Sequence, residues 1–306
     1  IVLLRKIIPT FLFKKPSKKE QWIGYFMRKI TLAKFDAKII MTLSNSMGGF
    51  WRGYNKNSRI IDYQHGIIDE NQPGFFNNGK VSSHIFENNK EVAVWGKGFY
   101  DIFQKNKKYY KNKVHILGYP QLFEKESTTY KNTLIFSLQF VPELNIEIKK
   151  EMLVKIKQIL KEINTFSKEK RPKVLLVNHP RHNNTIDLTN LVNTFGFVSI
   201  INSHQLSDNQ DYFLHATFYS TTSLEMAMRG IPTYFLSSNK ILQSKIFIKE
   251  YKYPINQTNS IKEFITLYNI NKKIRDEHSY LLKEWSKYYF QPLNTNLFLE
   301  IINDSQ

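Results

Sequence analysis

Short apolar runs alternate with longer stretches of helical periodicity along the chain, and this alternation is typical of parallel sheets covered by helices. Nine runs predict strands, each followed by a small or polar turn: 37–43, 60–63, 92–95, 114–117, 133–138, 173–177, 197–201, 213–219 and 233–236. Between the fifth and sixth runs, apolar residues recur at spacings of three and four and predict one buried helix face: Met152, Leu153, Ile156, Ile159, Leu160 and Ile163. The pattern predicts the α/β class.

A polar stretch at 121–132 interrupts this alternation, because no periodicity survives there after Gly118, Tyr119 and Pro120. At 306 residues and 42% hydrophobic content, the chain is long enough to bury two cores. We therefore expect an N-terminal Rossmann-like domain over residues 1–125 and a C-terminal one over 126–276. Residues 277–306 are expected to form a helix whose aromatic side chains pack back toward the N-terminal domain.

A formal charge of +18, from 44 Lys and Arg against 26 Asp and Glu, favours a polyanionic partner. Nucleic acid is not expected, because no zinc-finger, RNP or KH pattern is present. Basic segments with aromatic neighbours, at 5–34 and 105–113, suit either an anionic membrane surface or a solvated face. Zero cysteines fit a reducing cytoplasm. With no apolar run of about 20 residues, we expect a cytoplasmic protein, peripheral at the inner face of the membrane.

The first candidate site follows the run at 60–63, because ligands of open parallel sheets bind beyond the carboxyl ends of strands. Gly66 predicts a sharp turn that leaves His65 at the strand tip, where an imidazole can accept the proton of a sugar hydroxyl. Asp62 or Asp69 would orient it. The alternative is a structural histidine bonded to a backbone carbonyl.

The second and third candidate sites lie in the C-terminal half. His179, Pro180 and Arg181 follow the run at 173–177 and form a donor cluster suited to a phosphate, with the turn fixed by proline. After the run at 213–219, hydroxyl side chains open a predicted helix, whose free N–H groups and dipole favour an anion: Ser220, Thr221, Thr222 and Ser223. Glu225 either contacts the ligand or completes a capping box with Thr222.

A fourth, weaker candidate is the paired glycine at Gly48 and Gly49, preceded by Ser44, Asn45 and Ser46 after the first strand. Paired glycines permit a ligand to approach the backbone closely, but the dinucleotide-binding and P-loop fingerprints are absent. The sequence also has no D-x-D, H-E-x-x-H or carboxylate cluster. We therefore expect no catalytic metal and no cofactor.

Five motifs, taken in order over residues 38–240, resemble those of bacterial GT-B glycosyltransferases that build capsule and lipopolysaccharide: Asp62-x-Gln64-His65-Gly66, Val94-Trp95-Gly96, Leu117-Gly118-Tyr119-Pro120, Asn178-His179-Pro180-Arg181 and the segment from Ser220 to Pro232. The likeness is closest to the CMP-sugar-dependent sialyltransferases and Kdo transferases, which carry an acidic-acidic-Gly, a His-Pro and a Ser-Ser motif. The chain departs from the first motif, where Gln64-His65-Gly66 replaces two acids and a glycine.

This resemblance implies two Rossmann-like domains with parallel sheets and a cleft between them. It also implies a nucleotide-sugar donor, CMP-linked in the closest group, held by the second and third sites of the C-terminal domain. A glycan or glycolipid acceptor would lie over the N-terminal domain, with His65 replacing the acid as base and no metal required. Three alternatives remain open: a CDP-glycerol-dependent glycerophosphotransferase, a sugar-nucleotide epimerase and a non-catalytic polyanion-binding protein.

Overall fold

The computed structural model describes residues 2–31, 35–43, 47–70, 72, 74–77, 79–120, 131–181, 186–203, 206, 212–237 and 244–303. The chain divides into two compact units. The first unit comprises Ile1–Leu122 and Tyr288–Gln306, and the second comprises Phe123–Lys287.

The strands are β1 (Ile39–Leu43), β2 (Arg59–Tyr63), β3 (Phe76–Asn77), β4 (Lys80–Val81), β5 (Lys90–Val94), β6 (Val114–Ile116), β7 (Thr133–Ser137), β8 (Lys173–Asn178), β9 (Val198–Asn202), β10 (Leu214–Thr217) and β11 (Thr233–Phe235). The helices are α1 (Val2–Ile7), α2 (Pro16–Ile30), α3 (Gly48–Tyr54), α4 (Ser83–Glu87), α5 (Lys97–Gln104), α6 (Lys107–Tyr110), α7 (Ile146–Asn164), α8 (Thr189–Thr194), α9 (Thr222–Met228), α10 (Ser244–Lys249), α11 (Ile261–Ile270), α12 (Lys272–Tyr289) and α13 (Thr295–Asn303). A 3₁₀ turn, Thr10–Leu12, precedes α2. All nine predicted strands are present.

Each unit contains one parallel sheet. In the first unit the strand order is β1-β2-β5-β6, and in the second it is β11-β10-β7-β8-β9. Ile60, Val92 and Leu134 are completely buried within these sheets, as expected for strands covered on both faces. The predicted α/β class with parallel sheets is therefore confirmed. The β3–β4 pair is antiparallel and was not predicted, because each strand is only two residues long.

The long helix α7 confirms the predicted apolar stripe. Of the six residues in this stripe, five are buried and only Leu153 is partly exposed. The helix begins at a cap that the sequence also supplies, since the side chain of Asn145 accepts a hydrogen bond from the backbone N–H of Glu147 at 2.7 Å.

Helices α2 and α3 cross with their backbones in contact, and glycine makes this possible. A Cβ added to Gly53 would lie 1.8 Å from the carbonyl oxygen of Gln21, and one added to Gly24 would lie 2.0 Å from that of Phe50. Ile23 packs beside the crossing against Phe50 and Tyr54. The crossing thus fixes α2 onto the first unit.

The C-terminal segment does not form the single helix that was predicted. Helix α12 ends at Tyr289, and an extended stretch precedes α13 because Pro292 lacks the N–H that a continuing helix needs. Backbone bonds tie this stretch to the first sheet: Gln291 N–H donates to the Trp95 carbonyl at 3.0 Å, and Tyr119 N–H donates to Gln291 at 2.8 Å. Within the first unit, Ile301 of α13 packs against the core of β2, β5 and the end of β6.

Two of the motifs that carry the sequence resemblance hold the C-terminal segment against the first sheet. The rings of Trp95 and Phe290 stack with centroids 5.4 Å apart. Gly118 has a φ of +89°, and a Cβ there would lie 2.1 Å from the Pro292 carbonyl oxygen. A glycine is required at this position for both reasons. These contacts give the second and third motifs a role in packing.

Candidate donor and acceptor sites

His65 lies at the carboxyl end of β2, where its side chain is exposed. The buried side chain of Gln64 fixes the turn that presents it. Oε1 of Gln64 accepts a hydrogen bond from the Trp95 N–H at 2.9 Å, and Nε2 donates to the Gly66 carbonyl at 2.9 Å. Gln64 therefore links the turn to the end of β5. The motif pattern named this residue without indicating its positioning role.

The turn at Gly66 does not depend on glycine in the way that was predicted. Its φ lies outside the left-handed region, and a Cβ built there meets no heavy atom within 4 Å. An alanine would fit the described structure without strain. The open space beside His65 is large enough for another group to approach the backbone.

Asp62 is fully buried and belongs to the interior of the first unit. Oδ1 accepts a hydrogen bond from the Thr42 hydroxyl at 2.8 Å. The completely buried Lys90 is its charged neighbour: burial lowers the pKa of the Lys90 ammonium to about 8, and the charge of Asp62 opposes this shift. These surroundings favour a structural role for Asp62 over orientation of His65. Its place in catalysis stays a prediction.

The paired glycines accommodate protein side chains. A Cβ on Gly48 would lie 2.0 Å from Cε of Lys90, and one on Gly49 would lie 2.7 Å from Cβ of Glu20. The expected ligand approach at these two positions is therefore wrong, because that space is already filled. The preceding residues 44–46 lie outside the described residues.

At the carboxyl end of β8, His179, Pro180 and Arg181 form a short turn. Nδ1 of His179 accepts a hydrogen bond from the Arg181 N–H at 3.1 Å, and the half-buried imidazole thereby fixes the turn. Pro180 is exposed. The exposed guanidinium of Arg181 pairs with Glu143, with Nη1 and Oε1 2.6 Å apart. The polar loop that follows, at 182–185, lies outside the described residues.

The hydroxyl cluster after β10 differs from the prediction in two respects. Thr222 is the first residue of α9 and Thr221 is its cap, without a side-chain hydrogen bond, so the capping box of Thr222 with Glu225 is wrong. Ser223 is completely buried, and its hydroxyl donates to the Ser220 carbonyl at 2.7 Å. Ser220, Thr221 and Thr222 remain half-exposed. Three hydroxyls, instead of four, are open to a ligand.

The backbone N–H groups at the start of α9 are largely used within the turn. Thr222 N–H donates to the hydroxyl oxygen of Ser220 at 3.3 Å, and Ser223 N–H donates to the carbonyl of Ser220 at 3.1 Å. Glu225 lies half-buried on the same seven-residue helix. An anion at this position would therefore contact mainly hydroxyl groups.

Strand β7 separates the two parts of the candidate donor site. The strand order places β8 and β10 on opposite sides of β7, so the His179 and Ser220 turns lie about two strand spacings, roughly 10 Å, apart. The second and third candidate sites therefore do not lie on neighbouring strands. The two turns would contact different parts of one nucleotide.

Between these turns lies a polar network that the sequence did not indicate. The Thr217 hydroxyl lies 2.9 Å from Oε1 of Gln139 and accepts a hydrogen bond from the Ser220 N–H at 3.2 Å. The completely buried His215 bonds to the hydroxyls of Ser137 and Thr233 at 2.9 and 3.0 Å. Burial lowers the pKa of His215 to about 3, so a neutral imidazole on β10 bridges the neighbouring strands β7 and β11.

The part of the chain that the structure describes contains no group of three or more His, Asp or Glu side chains arranged to hold a metal ion. Among its helices, none has the length and apolarity needed to cross a membrane.

No protein-family model matches the chain, and no curated protein matches its sequence significantly. Solved structures resemble its fold. A putative UDP-N-acetylglucosamine 2-epimerase from Listeria monocytogenes has a TM-score of 0.59 at 13% identity, covering 97% of this chain and 81% of its own. A variant of S. aureus TarM, crystallised with fondaparinux, α-GlcNAc-glycerol and UDP, has a TM-score of 0.53 at 13% identity.

The match to TarM covers 94% of this chain and 58% of the TarM chain. A glycosyltransferase from Rickettsia africae has a TM-score of 0.52 at 13% identity and covers 95% of this chain and 82% of its own. These likenesses define the fold class: the chain has a GT-B-type fold built from two Rossmann-like units. The predicted fold is confirmed at this level.

Proposed function

We propose that the chain is a nucleotide-sugar-dependent glycosyltransferase that acts in the assembly of a bacterial surface polysaccharide. One observation carries the proposal: in a chain of GT-B-type fold, proton-accepting and phosphate-binding side chains stand at the carboxyl ends of strands in both sheets, where open α/β sheets bind ligands. His65 occupies this position in the first unit. His179, Arg181 and Ser220 occupy it in the second.

The donor nucleotide would bind to the second unit. Arg181 and His179 would contact a phosphate, and the hydroxyls of Ser220, Thr221 and Thr222 would contact a neighbouring part of the donor about 10 Å away. Oδ1 of Asn178 is buried without a hydrogen-bond partner among the described residues, and a bound donor would offer it one. The motif order favours a CMP-linked donor, so CMP is our first choice of nucleotide.

The acceptor hydroxyl would bind beside His65. The imidazole would take its proton as the oxygen attacks the anomeric carbon of the donor sugar, and the bond from that carbon to the phosphate oxygen would break. Arg181 and His179 would stabilise the departing phosphate, so that fixed donors supply what a metal supplies elsewhere. Gln64 would hold the base in place, and the buried Asp62 would stabilise the strand that carries it.

A thermal-shift panel of CMP, CDP, UDP and GDP tests the donor assignment. The donor's nucleotide should raise the melting temperature, because a ligand that binds only the folded state stabilises it. Arg181→Ala should reduce the shift at a given nucleotide concentration. Lys173→Ala is the matched control, since it removes one exposed cation from the amino end of the same strand. No shift with any nucleotide, or equal loss in both variants, would refute the assignment.

Turnover separates the proposal from its alternatives. The wild-type chain should transfer the sugar of the stabilising nucleotide to a glycan acceptor. Conversion of UDP-N-acetylglucosamine without an acceptor would identify an epimerase, and transfer of glycerol phosphate from CDP-glycerol would identify a glycerophosphotransferase. Binding with the donor left intact under all acceptors would identify a binding protein.

A further inference from the structure

Helix α2 presents one outward face on which aromatic and basic residues alternate. At 100° per residue, seven of its side chains fall within a single arc of about 140°: Lys18, Lys19, Trp22, Tyr25, Phe26, Lys29 and Ile30. Six of them are exposed, and Lys19 is half-buried. Gly24 on the opposite face and Ile23 at its edge are buried against α3. The helix is therefore fixed to the first unit and displays this mixed face outward.

The apolar part of the surface continues beyond the helix. Phe11 and Leu12, in the 3₁₀ turn before α2, are 85% and 64% exposed. Phe13 joins them to the helix, with its ring 6.1 Å from that of Trp22, which stacks in turn on Phe26 at 5.3 Å. Such a contiguous apolar surface is uncommon on a protein that contacts only water.

We propose that this face, α2 together with the turn at Thr10–Leu12, docks on an anionic lipid bilayer. Apolar side chains would enter the boundary between headgroups and acyl chains, and the lysines would contact lipid phosphates. Residues 2–31 contain eight Lys and Arg against one acidic residue, Glu20. The charge of the surface thus complements an anionic leaflet.

Charge also argues against the other occupants. A second copy of this face would bring Lys18 and Lys29 opposite their own counterparts, at a cost in repulsion. Nucleic acid would use the lysines but would gain little from the aliphatic side chains of Leu12 and Ile30. The bilayer is the partner that accommodates both kinds of residue.

The basic surface extends along one flank of the helix. A groove of about 570 Å³ is lined by Lys18, Tyr25, Arg52 and Lys56, together with the acidic Glu87. The ammonium groups of Lys29 and Lys56 lie 5.5 and 6.0 Å from the centre of the Tyr25 ring. Lys29 and Lys56 thus add positive charge beside the aromatic part of the surface.

Vesicle flotation tests the proposal with the complete chain. Vesicles of phosphatidylcholine with roughly 30 mol% phosphatidylglycerol should bind the protein, whereas pure phosphatidylcholine should bind it much less, and raising salt from about 0.1 to about 0.5 M should weaken binding. Replacing Phe11→Ser and Leu12→Ser together should reduce partitioning about tenfold per side chain. Lys18→Gln and Lys29→Gln should each reduce it about fivefold.

Matched variants on α12 serve as controls. Tyr280→Ser with Leu281→Ser removes two exposed apolar side chains, and Lys272→Gln with Lys273→Gln removes two exposed charges. Both should bind vesicles like the wild type, with unchanged melting temperatures in all variants. Equal binding to neutral vesicles, equal loss in the controls, a dimer that the Phe11 and Leu12 changes dissociate, or tighter binding to RNA would each overturn the proposal.

Discussion

The ion pair of Arg181 with Glu143 predicts that removing an acidic side chain strengthens nucleotide binding at the proposed phosphate site. The two groups are 2.6 Å apart, and their side chains are 61% and 64% exposed. An exposed pair of this kind is worth about 0.2–1 kcal/mol. A phosphate that recruits Arg181 must first break the pair. Glu143→Gln should therefore strengthen nucleotide binding, by about 1.4- to 5-fold.

Arg181→Ala should have the opposite effect and a larger one. It removes a charge-assisted hydrogen bond to phosphate worth about 1.5–3 kcal/mol, so binding should weaken by roughly 10- to 150-fold. The two changes should also be coupled. In the Arg181→Ala background, Glu143→Gln has no pair to release, and any remaining effect measures only the general field of its charge.

Calorimetric titration of the four proteins of this cycle with the stabilising nucleotide supplies the measurement. The bare nucleoside is the ligand control, because it has no phosphate to lose. The reasoning is refuted if Glu143→Gln weakens binding, or if it strengthens binding equally in both backgrounds. Equal weakening of nucleoside and nucleotide by Arg181→Ala would indicate damage to the fold.

Three further changes test other parts of the structure. His65→Ala should abolish transfer while leaving nucleotide affinity within about threefold, since the residue belongs to the acceptor side; wild-type turnover would exclude it. Burial raises the pKa of Glu91, but hydrogen bonds from His115 and Arg59 prevail and lower it to about 2. The stability that this carboxylate contributes is complete above its ordinary pKa of 4.5 and is lost as pH falls toward 2. Glu91→Gln should therefore lower the free energy of unfolding in urea by on the order of 3 kcal/mol at pH 7, and by progressively less as pH falls below 4.5. A difference that does not change with pH would contradict this. Gly53→Ala should destabilise the fold by about 1–3 kcal/mol, because the added Cβ would meet the Gln21 carbonyl. Gly66→Ala is the control and should not destabilise the fold. Equal melting temperatures for the two variants would show that the α2–α3 crossing tolerates a methyl group.

The sheets could be predicted from the sequence because buried parallel strands are short, continuous apolar runs. Ile60 and Ile61, or Leu134 and Ile135, carry that signal without help from distant residues. Pro292 marks in the sequence that α12 cannot continue. The path of the stretch after α12 could not be predicted, because it depends on backbone bonds between Gln291 and the distant residues Trp95 and Tyr119, which no local pattern records.

The positions of the candidate site residues along the chain could be predicted from the sequence, but their arrangement in space could not. Strand ends located His65 and His179, while the order of strands decided that β7 intervenes between the two donor turns. Buried polar residues were the hardest to interpret. Asp62 was a candidate because it lies near the end of a strand, and its hydrogen bond with Thr42 could not be read from the sequence. His215 was not a candidate, and only the structure shows its bond to Ser137.

The return of the C-terminal segment to the first unit constrains how the polypeptide can be made and divided. During translation the first unit cannot close until Ile301 has left the ribosome, because this residue completes the core around Ile61 and Ala93. The contiguous second unit has no such delay. Expression of residues 1–122 alone would leave that core open to water. To produce the two units separately, residues 288–303 would have to be joined to the end of the segment 1–122.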